Sequence, residues 1–111
     1  MKVSSSVLSI FLLISAVAMT TVSAAGVKVS TGLTVSWEND CRYLIEDYVD
    51  VVPSNGIEHC GDDCVKNSAC NYFDHVEGVC YMYNHPKGFP NMNKEPGWIC
   101  GYIYQRINLR R

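Results

Sequence analysis

The chain runs to 111 residues with six cysteines, nine Lys and Arg against eleven Asp and Glu, and a formal net charge of −2. That length holds one domain at most, and the mildly acidic balance argues against nucleic acid, heparin or an anionic membrane as the main partner. No internal repeat or low-complexity segment interrupts the sequence.

The N-terminus reads as a targeting segment. Met1 and Lys2 precede an apolar run from Val7 to Met19, and Val22, Ser23 and Ala24 stand where a signal peptidase reads small residues. The run is short of the ~20 residues that a spanning helix needs. Residues 1–24 are therefore expected as a signal peptide, cleaved after Ala24 or Ala25, and the mature chain as secreted, extracellular and free of the membrane. Cutting 24 residues from 111 leaves 87, with eight Lys and Arg against the same eleven acids. A chain of that size is marginal for an apolar core unaided by cross-links. Six cysteines in a small secreted protein meet that need as three disulfides, with no thiol to spare.

Ala25 to Ser30 reads as a short, poorly ordered leader. Residues 25–36 then hold the leader and the start of the first strand, 37–104 the folded domain and 105–111 a tail. Leu33-Thr-Val-Ser-Trp37 alternates apolar and polar residues and is rich in β-formers, which predicts the first strand. Cys41 follows in an acidic turn, Glu38-Asn-Asp40. From Tyr43 to Val52 two readings stay open. Tyr43, Ile45, Tyr48 and Val49 allow a strand, whereas Leu44, Tyr48 and Val51-Val52 fall at helical spacing, and Pro53 ends the segment either way.

Asn55 can cap a helix, with Glu58 three residues on reaching back as in a capping box. Ile57, Cys60, Cys64 and Val65 fall on one face, and the helix is expected to end near Asn67. Asp62 and Asp63 read as solvent-facing. Cys70 to His75 and Val79 to Tyr83 predict two strands joined at Glu77-Gly78. A two-residue turn there puts Phe73, His75, Cys80 and Met82 on one face and Tyr72, Asp74, Tyr81 and Tyr83 on the other. A three-residue turn would move Phe73 across. Asn84 to Gly97 reads as a long loop with three prolines, and Trp98 to Tyr104 as the last strand. Arg106, Arg110 and Arg111 read as a solvated basic end.

Six cysteines allow 15 pairings, and spacing alone does not choose among them. Cys60 and Cys64 stand one turn apart on the expected helix and must face whatever it packs on. The set Cys60-x3-Cys64-x5-Cys70-x2-Phe73, then Gly78-x-Cys80, with Cys41 before and Cys100-Gly101-Tyr102 after, resembles the PAN/Apple family. The likeness covers roughly Trp37 to Tyr104. It implies an α+β fold with one helix packed on a curved antiparallel sheet, and pairs Cys41–Cys100, Cys60–Cys80 and Cys64–Cys70. Family members often carry Leu-Lys after the residue that follows the fifth cysteine. Met82-Tyr83 stands there instead, so nothing that depends on that lysine carries over.

Residues that could carry chemistry are few. Cys60 and Cys64 with His59 and His75 make a conceivable zinc set, but secretion favours oxidised cysteines. Asp62-Asp63 lacks a calcium-loop pattern, and neighbouring carboxylates on a helix point apart. No cofactor, metal or catalytic residue is expected, and the chain does not read as an enzyme. No Asn-x-Ser/Thr sequon occurs. The aromatic residues hold the functional promise: Tyr72, Tyr81, Tyr83 and Trp98 are the candidate ligand-binding residues, with Tyr102 and Tyr104 near by. Aromatic rings stack on the apolar faces of sugars and also anchor protein partners. The competing reading is that loops cover this face and the rings are core. A patch rich in aromatics and lacking basic residues favours a monomeric, lectin-like carbohydrate-binding module, with a protein-interaction or effector module that binds a receptor or protease as the alternative.

Overall fold

The computed structural model describes residues 25–107, so the expected signal peptide and the last four residues of the tail lie outside the described residues. Within them the elements are β1 (Ala25–Ser30), β2 (Leu33–Tyr43), β3 (Tyr48–Pro53), helix α1 (Ile57–Lys66), β4 (Tyr72–Val76), β5 (Val79–Tyr83), β6 (Met92–Ile103) and a 3-10 turn, Tyr104–Arg106. The strands form one six-stranded sheet in the order β1-β2-β6-β4-β5-β3. Every pairing is antiparallel. The protein is thus a small α+β domain with one helix on an antiparallel sheet, stapled by Cys41–Cys100, Cys60–Cys80 and Cys64–Cys70.

Glu77-Gly78 is the two-residue turn. Both residues have positive φ, 47° and 78°, the backbone that fits the strand twist in a tight hairpin. Val76 therefore pairs with Val79, His75 with Cys80 and Phe73 with Met82. That register sends Phe73 and Met82 under the helix, where they pack with Val35, Ile103, Cys60 and Cys64. Tyr72 and Tyr83 go to the opposite face with Tyr43 and the Cys41–Cys100 bridge. Gly101 permits this arrangement: a side chain there would run into the Phe73 ring and the Ser36 carbonyl.

Several sequence expectations are corrected. Ala25–Ser30 is an edge strand rather than a leader, because Thr31-Gly32 supplies a second tight turn with φ of 47° and 82°. β2 does not stop at Trp37 but runs through the expected acidic turn to Tyr43. It does so across a bulge, where pairing jumps from Asn39–Ile99 to Cys41–Lys94. Asp40 and Gly97 absorb the bulge at φ 56° and 89°, and Gly97 N–H donates to Asp40 Oδ1 at 3.4 Å. Pro96 lies in the same bulge, where its missing N–H costs no ladder bond. β6 therefore begins at Met92, which shortens the expected long loop to residues 84–91.

The helix ends at Lys66 with Asn67 as its C-cap, as the sequence predicts, but it starts differently. Its N-cap is Gly56, not Asn55, with no side-chain cap. Glu58 instead points outward towards Lys28 Nζ, 3.8 Å away. Asp62 is not simply solvated: Lys28 Nζ lies 3.0 Å from its Oδ1, and the Ser30 hydroxyl donates to it at 2.9 Å. Burial alone would raise the Asp62 carboxyl, but these two donors outweigh it and hold the group below its usual range. Arg106 is not a solvated end either. Its guanidinium donates to the carbonyls of Cys64, Asn67, Cys70 and Val65 at 2.8–3.0 Å. It thereby satisfies the carbonyls that a helix C-terminus leaves open and opposes the negative end of the dipole.

Candidate ligand-binding face

The sheet face opposite α1 divides into a sealed tyrosine cluster and a more open surround. Tyr72 and Tyr83, two of the four candidate ligand contacts, are 0 % and 2 % exposed. They are core residues, packed edge-on against Tyr43 at 5.2 and 6.2 Å. The other two, Tyr81 and Trp98, are half-buried and stack on each other with centroids 5.9 Å apart and planes 22° apart. The Arg42 guanidinium lies 4.6 Å from the Trp98 ring centre. Tyr48 rests against both Tyr81 and Tyr83 at 5.3 Å. Tyr104 is exposed beyond the end of β6 and makes no ring contact among the described residues.

At the centre of the cluster Asp74 is fully buried. Tyr83 Oη donates to its Oδ2 at 2.7 Å, and Tyr43 N–H lies 3.3 Å from the same oxygen. Burial dominates its ionisation and pushes the carboxyl up to about 7, although the Tyr83 and Tyr43 donors and Arg42 pull the other way. Tyr43 and Tyr83 are in turn pushed well above the usual phenol range, by burial first and by the Asp74 charge second. The Tyr43 hydroxyl is used internally, donating to Gly101 O at 2.9 Å. The network holds the end of β2 against β4 and β5. It offers no open acid to a substrate.

The loop over residues 84–91 is pinned to this face from below. Asn71 and His85 exchange two hydrogen bonds, Nδ2 to the His85 carbonyl at 2.7 Å and His85 N–H to Oδ1 at 2.9 Å. The Tyr72 hydroxyl donates to Gly88 O at 2.7 Å. These bonds set Phe89 over Tyr102 and Tyr72, with ring centres at 5.6 and 6.4 Å. Between this loop and β1 opens a groove of about 560 Å³, lined by Val27, Tyr43, Phe89, Met92, Tyr102 and Glu38 among others. Phe89 is 54 % exposed, unusually open for a ring of its size. Of these residues Tyr43, Tyr102 and Glu38 stand out in the sequence, as a β-former, a neighbour of the aromatic patch and part of an acidic turn, and none of them as a contact. Phe89 could have been found as the single aromatic in the proline-flanked loop. Val27 and Met92 carry no local signal, since the register of β1 and β6 brings them together.

Among the described residues no group of His, Cys, Asp and Glu could hold a metal ion, and no helix is long and apolar enough to cross a membrane. All six cysteines are bridged, which places folding in an oxidising environment. No protein-family model, curated protein or solved structure matches the chain.

Proposed function

We propose that this protein is a secreted, non-catalytic binding module of the PAN/Apple kind, which takes an extracellular protein or peptide on the sheet face opposite the helix. The nested disulfides, first with sixth, second with fifth and third with fourth, support the kinship. So does the single helix laid on an antiparallel sheet. The observation that carries the protein-binding reading is the groove beside Phe89. Its exposed apolar side chains, Phe89 on the pinned loop with Val27 of β1 and Met92 of β6, suit an apolar anchor from a partner, the usual core of a protein interface.

Carbohydrate is the second reading, supported by the half-buried Tyr81–Trp98 pair. It is weaker than the sequence suggests. Tyr72 and Tyr83 are sealed in the core, and Arg42 supplies a basic group at Trp98 where the sequence reading had none. The two readings separate in one experiment. The oxidised protein and its Phe89→Ser and Tyr81→Ala variants are tested on an array of glycans and a panel of extracellular domains and displayed peptides. Selective retention on polypeptide, lost in Phe89→Ser, supports the first reading. Retention on glycans, lost in Tyr81→Ala, replaces it with the second.

A further inference from the structure

We infer that the partner adds an extended strand to the open edge of β1 and sends a lysine or arginine side chain into the groove to meet Glu38. The inference rests on the protein-binding reading above and specifies its ligand. The sheet has two edges, and they differ. β3 is blunted: it ends in Pro53, its register shifts between Tyr48 and Asp50, and the Asp50 carboxylate takes the Val51 N–H at 2.9 Å. Such devices keep edge strands from pairing with other chains. β1 has none of them. It pairs without interruption from Ala25 to Ser30, contains no proline, and among the described residues has β2 alone beside it. Its one charged side chain, Lys28, is turned to the helix by Asp62. Val27 and Val29 stand 66 % and 71 % exposed on the groove side. An unpaired row of N–H and C=O groups flanked by β-branched side chains is what strand addition uses.

The register fixes what the added strand can reach. Ala25 pairs with Glu38 and Val27 with Ser36, so these four residues share the face that carries the groove. Strands lie about 4.8 Å apart. A partner residue opposite Ala25 is therefore roughly 10 Å from Glu38, with only the Ala25 methyl between them. Long side chains can bridge that gap and short ones cannot. Glu38 lines the groove, is exposed, and makes no salt bridge or side-chain hydrogen bond among the described residues. Beside it stand the apolar walls of Val27, Met92, Tyr102 and Phe89. A lysine or arginine fits that pairing of surfaces, with its methylene stem on the apolar wall and its cation on the carboxylate. An acidic or short polar side chain does not.

The test uses capped hexapeptides of alternating threonine and valine with one central position set to lysine, arginine, norleucine or glutamate. Binding is measured by fluorescence anisotropy to the oxidised protein and to its Glu38→Gln and Phe89→Ser variants. The lysine and arginine peptides should bind at least about tenfold more tightly than norleucine. Glu38→Gln should bring that ratio close to one, and N-methylation of the peptide amides that face β1 should abolish binding. Equal binding of norleucine, a basic preference that survives Glu38→Gln, indifference to N-methylation, or no binding by any peptide overturns the inference. If Phe89→Ser weakens every peptide but no basic preference exists, the groove reading stands and only this inference fails. Binding that ignores both variants removes both.

Discussion

The hydroxyl of Tyr83 donates a 2.7 Å hydrogen bond to the carboxylate of Asp74, and neither side chain reaches solvent. This pair joins β5 to β4 inside the tyrosine cluster and makes the fold sensitive to pH in an uncommon direction. Most carboxylates that shape acid denaturation lie lower in the fold than in the unfolded chain. Asp74 lies higher, at about 7 against an ordinary value of 3.8. Its contribution is complete below about pH 4 and is lost as pH rises through about 7, to the extent of on the order of 4 kcal/mol. Asp74→Asn, which stays neutral, should flatten the fall in denaturant midpoint between pH 4 and 8. An unchanged slope would show that Asp74 titrates normally.

Tyr83→Phe removes the donor that helps the ionised carboxylate bear its burial. The loss should therefore be about 1–3 kcal/mol above pH 7, where Asp74 is charged, and smaller near pH 5. Urea titrations at the two pH values check this. Equal losses at both would mean that the hydroxyl serves packing alone.

Tyr81 and Tyr83 stand two residues apart yet should differ widely in what truncation costs. Tyr81→Ala gives up one stacked pair with Trp98, about 0.5–1.5 kcal/mol beyond its share of buried area, and should leave a folded protein. Tyr83→Ala opens a cavity beside Tyr43 and strands Asp74, a loss of roughly 3–5 kcal/mol. Thermal melts of the two variants should differ widely.

Arg106→Ala should destabilise the fold by about 2–3 kcal/mol, since it frees four carbonyls, those of Cys64 and Val65 in the last turn of α1 and those of Asn67 and Cys70 beyond it. Arg106→Lys should recover only part of this, because an ammonium cannot fork across carbonyls on two sides. Hydrogen exchange localised to the last turn of α1 would report the uncapping directly.

Replacing Cys41 and Cys100 together by alanine removes a bridge between residues 59 apart in sequence. Loop entropy sets the cost at roughly 4 kcal/mol, against less for the six-residue separation of Cys64 and Cys70. Denaturation of the two double variants should rank them in that order.

The hairpin of β4 and β5 was legible because Glu77-Gly78 is a strong local signal and fixes which residues share a face. The helix was legible to its last residue from the spacing of Ile57, Cys60, Cys64 and Val65. What failed was non-local. A valine-glycine stretch such as Ala25–Ser30 becomes a strand only because β2 is there to receive it. Pro96 and Gly97 read as loop punctuation, yet a bulge opposite Asp40 accommodates both. The alternation of Tyr81 and Tyr83 with inward residues gave the correct face for each tyrosine, but not what else would cover it. Tyr83 is sealed by Tyr43 and Tyr48, from segments that the sequence left unassigned. Phe89 is held open by bonds from Asn71 and Tyr72 that no sequence spacing announces.

The place of β6 in the sheet governs the order of assembly. It lies between β2 and β4 although it is the last strand synthesised. A nascent chain can form the β4–β5 hairpin early, dock α1 on it and oxidise Cys60 with Cys80 and Cys64 with Cys70. The β1–β2 hairpin must meanwhile wait with one long edge unsatisfied until residues 92–103 emerge. Only then do the two halves become one sheet, and only then does Cys41 meet its partner. The early half-product carries two correct bridges and one unpaired cysteine, Cys41, which makes it the species that a thiol oxidoreductase of an oxidising compartment would have to hold.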